Sequence, residues 1–158
     1  MNTASSLKEL KEYRECNALA RIVLAGGIFD LFHAGHAKYL NFCKRQGELL
    51  VVHVGSDKSS IVYKNGKKPV ISEEHRVEIV KNFRAVDLVY SDDRKHRDLL
   101  IVRSLRPDVM MLSKESTSEE EISELRKEFP NMQIIFNPRI DDGLSTTSLI
   151  AKIKEKHC

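Results

Sequence analysis

Two histidines three positions apart stand in the segment Gly26-Gly27-Ile28-Phe29-Asp30-Leu31-Phe32-His33-Ala34-Gly35-His36. His33 and His36 fall on one side of an incoming helical turn. Gly26 and Gly27 let a backbone approach a ligand closely, and a helix opening at Gly35 adds oriented N–H groups and the positive end of a dipole. Imidazoles, backbone donors and a dipole converging on one point describe a site for phosphate. The spacing is not G-x-G-x-x-G, and no P-loop G-K-[ST] occurs. A zinc pair is the other reading of two histidines three apart, and further Cys, His or acidic partners are missing for it. No metal ligand is assigned to the protein.

Two more segments carry polar residues at helix starts. Ser72-Glu73-Glu74-His75-Arg76 has a capping serine and acids in the first turn, which the dipole favours. Asp142-Gly143-Leu144-Ser145-Thr146-Thr147 opens the last helix. On their own, Arg76 is a solvated helix charge and Ser145 to Thr147 are a cap. Capping and phosphate binding are compatible, because both use the same helix end. The polar stretch from Ser59 to Ile71, with Lys64, Lys67 and Lys68, reads as a mobile loop. His53, His96 and His157 read as structural or surface residues.

These segments need a frame. Apolar runs at 21–25, 48–54, 86–90, 108–112 and 132–136 read as strands covered on both faces, because they do not alternate. Helical patterns at 35–45, 73–84, 94–105, 118–129 and 145–156 lie between them, the fourth ended by Pro130. Strand and helix in alternation give an α/β fold: a single Rossmann-like, doubly wound, parallel five-stranded sheet with helices on both faces. Residues 1–20 read as an N-terminal leader helix, with Leu7, Leu10 and Tyr13 on one face, and residues 21–158 as the main domain. In such a sheet ligands sit at the carboxyl ends of the strands, where Gly26 to His36 fall.

Composition bounds the rest. The 158 residues suit one domain. A net charge of +3, 6% aromatic residues and no Trp argue against a nucleic-acid binder. No apolar run reaches the ~20 residues of a membrane helix, and Met1 to Ala20 lacks the apolar core of a secretory signal. Cys16, Cys43 and Cys158 form no CxxC pair and read as reduced thiols. The expected setting is cytoplasmic.

His33-Ala34-Gly35-His36 resembles the H-x-G-H signature of the cytidylyltransferase-like nucleotidyltransferases. Glu74-His75-Arg76 resembles that family's E-x-R element, and Gly143-Leu144-Ser145-Thr146-Thr147 its G-[IL]-S-T-T sequence. The three occur in the family's order. The resemblance implies nucleotidyl transfer from a nucleoside triphosphate, CTP or ATP, to a small phosphorylated acceptor, with release of pyrophosphate. It implies catalytic roles for His33, His36, Lys64 and Arg76. It implies nucleotide binding by Gly26, Gly27, Ile28, Phe29, Gly35, Arg139, Ser145, Thr146 and Thr147, and Mg²⁺ carried mainly by the nucleotide's phosphates. A homodimer is also implied, since dimers are common in the family. Glu74-His75-Arg76 and Pro138-Arg139 look like glycerol-3-phosphate cytidylyltransferases, which puts CMP and a phosphorylated polyol or sugar first. The leader helix and the loop from Lys64 to Pro69 look like heptose-phosphate adenylyltransferases, and archaeal FAD synthases share the first two signatures. These leave ATP, with a heptose phosphate or FMN as acceptor, as the alternative. A nucleotide-binding regulator without turnover is the remaining reading. The fourth apolar run ends in Leu112-Ser113-Lys114-Glu115-Ser116, where relatives often have a glycine-acid segment.

Overall fold

Apolar runs form the strands because side chains on alternate faces of each strand are buried in two separate layers. In β2 (Ile22–Gly27), Ile22 and Leu24 join one core cluster while Val23 and Ala25 join the other. The structure, a computed structural model, describes residues 3–63, 66, 68–138 and 145–157. The chain runs β1 (Thr3–Ala4), α1 (Leu7–Cys16), β2, α2 (Ala34–Lys44), β3 (Leu49–Gly55), α3 (Asp57–Tyr63), α4 (Glu73–Lys81), β4 (Leu88–Asp92), α5 (Leu99–Leu105), β5 (Val109–Leu112), α6 (Glu119–Glu128), β6 (Gln133–Phe136), α7 (Thr146–His157).

All pairings are parallel, in the order β1-β4-β3-β2-β5-β6. The chain moves outward from β2 through β3 to β4, then returns to place β5 on β2's other side. The order therefore reverses between β2 and β5, and the crevice at their carboxyl ends is the switch point where doubly wound folds bind ligands. One face is covered by α1, α5 and α6 through Leu10, Ile101, Leu105 and Leu125, and the other by α2 and α4 through Leu40, Cys43 and Val80. No helix among the described residues is long and apolar enough to cross a membrane.

Three expectations need correction. Among the described residues the sheet has six strands rather than five, because Thr3 and Ala4 pair with Val89 and Tyr90 at the edge. Two residues carry no periodicity that a sequence could reveal. A helix, α3, occupies most of the first half of the stretch read as a mobile loop. Ser56 caps it, with Ser59 N donating to Ser56 Oγ (3.0 Å) and the Ser60 hydroxyl donating to Ser56 O (2.7 Å). Finally, α5 starts at Leu99 rather than Arg94. Asp98 is its N-cap, accepting from Leu100 N at 2.9 Å, and Arg94 to Arg97 are left in the loop above β4.

Candidate active site

The start of α2 is built by its two histidines. His33 is the N-cap, and Gly35 N donates to His33 Nδ1 (3.1 Å) while His33 N donates to His36 Nδ1 (3.3 Å). The rings stack with centroids 4.0 Å apart and planes at 28°. A backbone N–H can only donate, so both Nδ1 atoms are acceptors and each neutral ring carries its proton on Nε2. Phe29 and Phe32 flank the His36 ring at 5.4 and 5.5 Å. The pair is thus fixed in rotamer and tautomer by the helix it caps.

The loop feeding this turn is strained. Phe29 (φ 57°) and Leu31 (φ 46°) are left-handed without being glycine, at a cost of about 1 kcal/mol or more each. Between them Asp30 is buried and over-determines the conformation. Its carboxylate accepts from Val70 N and Ile71 N, both at 2.9 Å, and its carbonyl accepts from Thr146 Oγ1 at 3.0 Å. One residue therefore ties the α2 turn, the segment before α4 and the start of α7. Gly27 is required here, because a Cβ on it would lie 2.9 Å from the Phe29 ring.

Arg76 has no exposed surface. Its Nε donates to Ile71 O (3.0 Å), its Nη1 to Ile28 O (2.6 Å) and Gly55 O (2.8 Å), and its Nη2 to Asp57 Oδ1 (2.6 Å). The guanidinium joins the carboxyl ends of β2 and β3 to α3. Glu73 supports the same junction, accepting from Asp57 N (3.3 Å) and the Ser91 hydroxyl (2.5 Å). Ser72 is the N-cap residue of α4 but makes no side-chain cap bond.

A cavity of about 420 Å³ opens over the switch point, lined by Gly26, Gly27 and Ile28 from β2's end, Met111 and Ser113 from β5's, and Arg94 to Arg97 from the loop after β4. Asp92 organises that loop. It accepts from His53 Nε2 (3.1 Å), the Tyr90 hydroxyl (2.6 Å), Arg94 N (2.8 Å) and the Arg94 guanidinium. Burial alone would raise its pKa, but these donors hold the carboxyl well below the usual range. Lys95 and Arg97 both pair with Glu121 at 3.1 Å. Next to them His96 is neutral: burial first, then the neighbouring His53, pushes its pKa down to about 3.

That ring gives a pH dependence with a definite sign. The unfolded histidine titrates near 6.5 and the native one near 3, so the unfolded chain holds the extra proton between those values. Stability is full above pH 6.5 and falls as pH drops toward 3, by on the order of 4 kcal/mol. Melting temperature against pH should begin its acid decline near 6.5, and His96→Gln should move that onset down toward the carboxylate range. An identical acid limb in both proteins would contradict the neutral ring.

The structure places Gly26, Gly27 and Ile28 in the cavity wall, whereas His33, Gly35 and His36 form the start of α2 and do not line that cavity. Phe29 packs between the two in the core. Thr146 is joined to that turn through Asp30. Ser145 and Ser148 cap α7 reciprocally, with bonds of 2.9 and 3.0 Å, and Thr147 is exposed. Lys64 and Arg139 lie outside the described residues. Asp57, Asp92 and His96 were not picked out by sequence reasoning. Their position at or just past the ends of β3 and β4 was the available signal, since those ends face the ligand crevice.

A model of the cytidylyltransferase-like family matches residues 24–152. The bifunctional protein HldE of Helicobacter pylori (strain J99) is 34% identical over 154 residues, covering 96% of this chain and 31% of that protein. The FAD synthase of Thermococcus onnurineus is 34% identical over 140 residues, covering 86% of this chain and 93% of that protein. The chain thus spans about a third or less of the HldE proteins it matches and nearly all of the FAD synthase. Among solved structures, the lipopolysaccharide core biosynthesis protein of Thermoplasma volcanium superposes with a TM-score of 0.64 at 28% identity, covering 77% of this chain and 99% of that one. The pantoate-β-alanine ligase of Francisella tularensis (TM-score 0.63, 16% identity) shares the fold. With its histidine-capped turn at the head of a parallel sheet and a family match over most of its length, the chain belongs to the cytidylyltransferase-like family of nucleotidyltransferases.

Proposed function

We propose that the chain is an adenylyltransferase, which joins AMP from ATP to a phosphorylated acceptor and releases pyrophosphate. The observation that carries the transfer chemistry is the stacked His33–His36 pair, held with Nδ1 acceptors and Nε2 donors at a helix N-terminus. The choice of ATP rests on the relatives: FAD is FMN joined to AMP, and the FAD synthase is matched over nearly its full length. CTP with a polyol or sugar phosphate is the second reading, favoured by Glu74-His75-Arg76 and Pro138-Arg139.

An oxygen of the acceptor's phosphate attacks the α-phosphorus, the bond to the bridging oxygen of pyrophosphate breaks, and pyrophosphate leaves with the electron pair. The attacking group is already anionic at neutral pH, since its second pKa is about 6, and no general base is needed. Alignment and charge stabilisation are what the protein must supply. Nε2–H of His33 and His36 donates to the oxygens on which charge develops. The N-terminus of α7, with Ser145, Thr146 and Thr147, receives the outer phosphates, and Lys64 and Arg139 are the further cations assigned to them. Arg76 acts from beneath, holding Ile28 and Gly55 where the triphosphate passes. Mg²⁺ would be held chiefly by the triphosphate and supplies charge neutralisation when bound. Both Asp30 oxygens already accept backbone N–H groups, which suits a brace rather than a metal ligand. We place the protein in the cytoplasm as a homodimer: Cys16 and Cys43 are unpaired thiols, and exposed Val62 and Val70 offer apolar surface to a second copy.

A thermal-shift panel with Mg²⁺ and ATP, CTP, GTP or UTP tests the nucleotide. A ligand at a hundredfold its Kd adds about 2.7 kcal/mol, or roughly 5–10 °C for a chain of this size. ATP alone should produce that shift. CTP alone would install the second reading, and no shift with any nucleotide would contradict both.

A further inference from the structure

The His96 ring stands over the switch point itself. It hydrogen-bonds to β5 and packs on β2. Its Nε2 lies 2.9 Å from Met111 O. A carbonyl can only accept, so Nε2 carries the proton and Nδ1 holds a lone pair. The ring rests directly on Gly26. A Cβ there would fall 2.4 Å from His96 Cγ and 2.5 Å from Nδ1, so only glycine admits the ring. Among the described residues Nδ1 makes no hydrogen bond, yet it is not one of the enclosed, partnerless atoms, and its ring lines the cavity. A fixed, unprotonated acceptor thus belongs to a ring that lines the ligand space beside Gly26.

We propose that His96 Nδ1 accepts a hydrogen bond from a hydroxyl group of the bound substrate, and so selects hydroxylated ligands over their deoxy analogues. The inference rests on the adenylyltransferase reading and adds a specificity residue to it. A hydroxyl suits a single neutral acceptor, and the cations that line the same cavity, Arg94, Lys95 and Arg97, are each paired with a carboxylate, Asp92 or Glu121. The nucleotide's ribose is the nearest source, since Gly26 continues into the loop that leads to the phosphate-facing histidines. A hydroxyl on the acceptor is the other source. The depressed pKa makes the ring a poor base, so its role is recognition and not proton removal.

Two substitutions separate recognition from packing. His96→Gln keeps a donor near the Met111 carbonyl and loses the Nδ1 acceptor. His96→Asn puts an amide oxygen near the Nδ1 position and loses the Met111 bond. Dissociation constants for ATP, 2′-deoxyATP, 3′-deoxyATP and ITP, measured with Mg²⁺ by calorimetry on the full chain, give the nucleotide arm. The wild type should prefer ATP to one of the deoxy forms by about threefold to tenfold, the range of one neutral hydrogen bond. His96→Asn should keep that ratio, and His96→Gln should bring it to about one. If the hydroxyl is the acceptor's, the nucleotide ratios stay unchanged while His96→Gln, and not His96→Asn, raises the acceptor's KM in the pyrophosphate assay. Variants that behave alike in both arms, or a change confined to ITP, would overturn the hydroxyl contact. A wild type that binds ATP while the variants behave alike leaves the adenylyltransferase reading standing. A wild type that binds no ribonucleotide removes both.

Discussion

His36→Ala should lower kcat by about 10²–10³-fold and change the Kd for ATP by no more than a few-fold. The size follows from removing one preorganised donor aimed at developing charge. The split follows because the interaction strengthens as the α-phosphorus adds its fifth oxygen, so ground-state binding loses little. The substitution has a structural cost too. His36 Nδ1 accepts from His33 N, and the rings stack at 4.0 Å, so the α2 cap weakens by about 1 kcal/mol. That cost moves the melting temperature by only a few degrees. His36→Asn, which retains a short acceptor, should recover most of the stability and little of the turnover. Pre-steady-state rates together with equilibrium binding check the split. Unchanged turnover in His36→Ala would remove this residue from the chemistry.

Arg76→Met should be the most destabilising single substitution at the site. Removing the guanidinium leaves the carbonyls of Ile71, Ile28 and Gly55 and the carboxylate of Asp57 without their donor. Breaking a buried charged network by deleting one partner costs about 3–5 kcal/mol, a loss of roughly 6–20 °C in a domain of this size. Lysine does not rescue it, because one ammonium cannot span four acceptors on three segments. Urea denaturation gives the energy. A variant with wild-type stability and no activity would instead identify Arg76 as a direct phosphate ligand, the role that the E-x-R resemblance implies.

The sheet was legible because strands buried on both faces need continuous apolar runs, and β2 to β6 all have them. The helix start at the two histidines was legible too, since His33 to His36 directly precede a helical pattern and the turn they form caps α2. What escaped was set by tertiary pairing. Thr3–Ala4 is a strand only because β4 offers an edge. α3 is a helix because the Ser56 cap and the Arg76–Asp57 pair stabilise a sequence of modest propensity. Arg76 itself, a solvated helix charge on its own and a catalytic cation by the resemblance, is fully buried, since its helix face turns toward carbonyls contributed by residues 21 and 48 positions away. The His96 tautomer depends on a carbonyl 15 residues downstream, which no local pattern records. Asp30 shows the reach of such pairing, since it bonds to segments 40 and 116 residues away.

Pyrophosphate release from ATP by the full chain with Mg²⁺ tests the central claim most directly, with FMN and a series of sugar phosphates offered as acceptors. The account predicts release that depends on one acceptor, equals the adenylylated product in amount and falls by about 10²–10³-fold in His36→Ala. Release with CTP and not ATP would keep the transfer chemistry and change the nucleotide. Tight nucleotide binding with no release from any acceptor in the series, and no difference between wild type and His36→Ala, would contradict catalysis by this site and leave a nucleotide-binding regulator in its place.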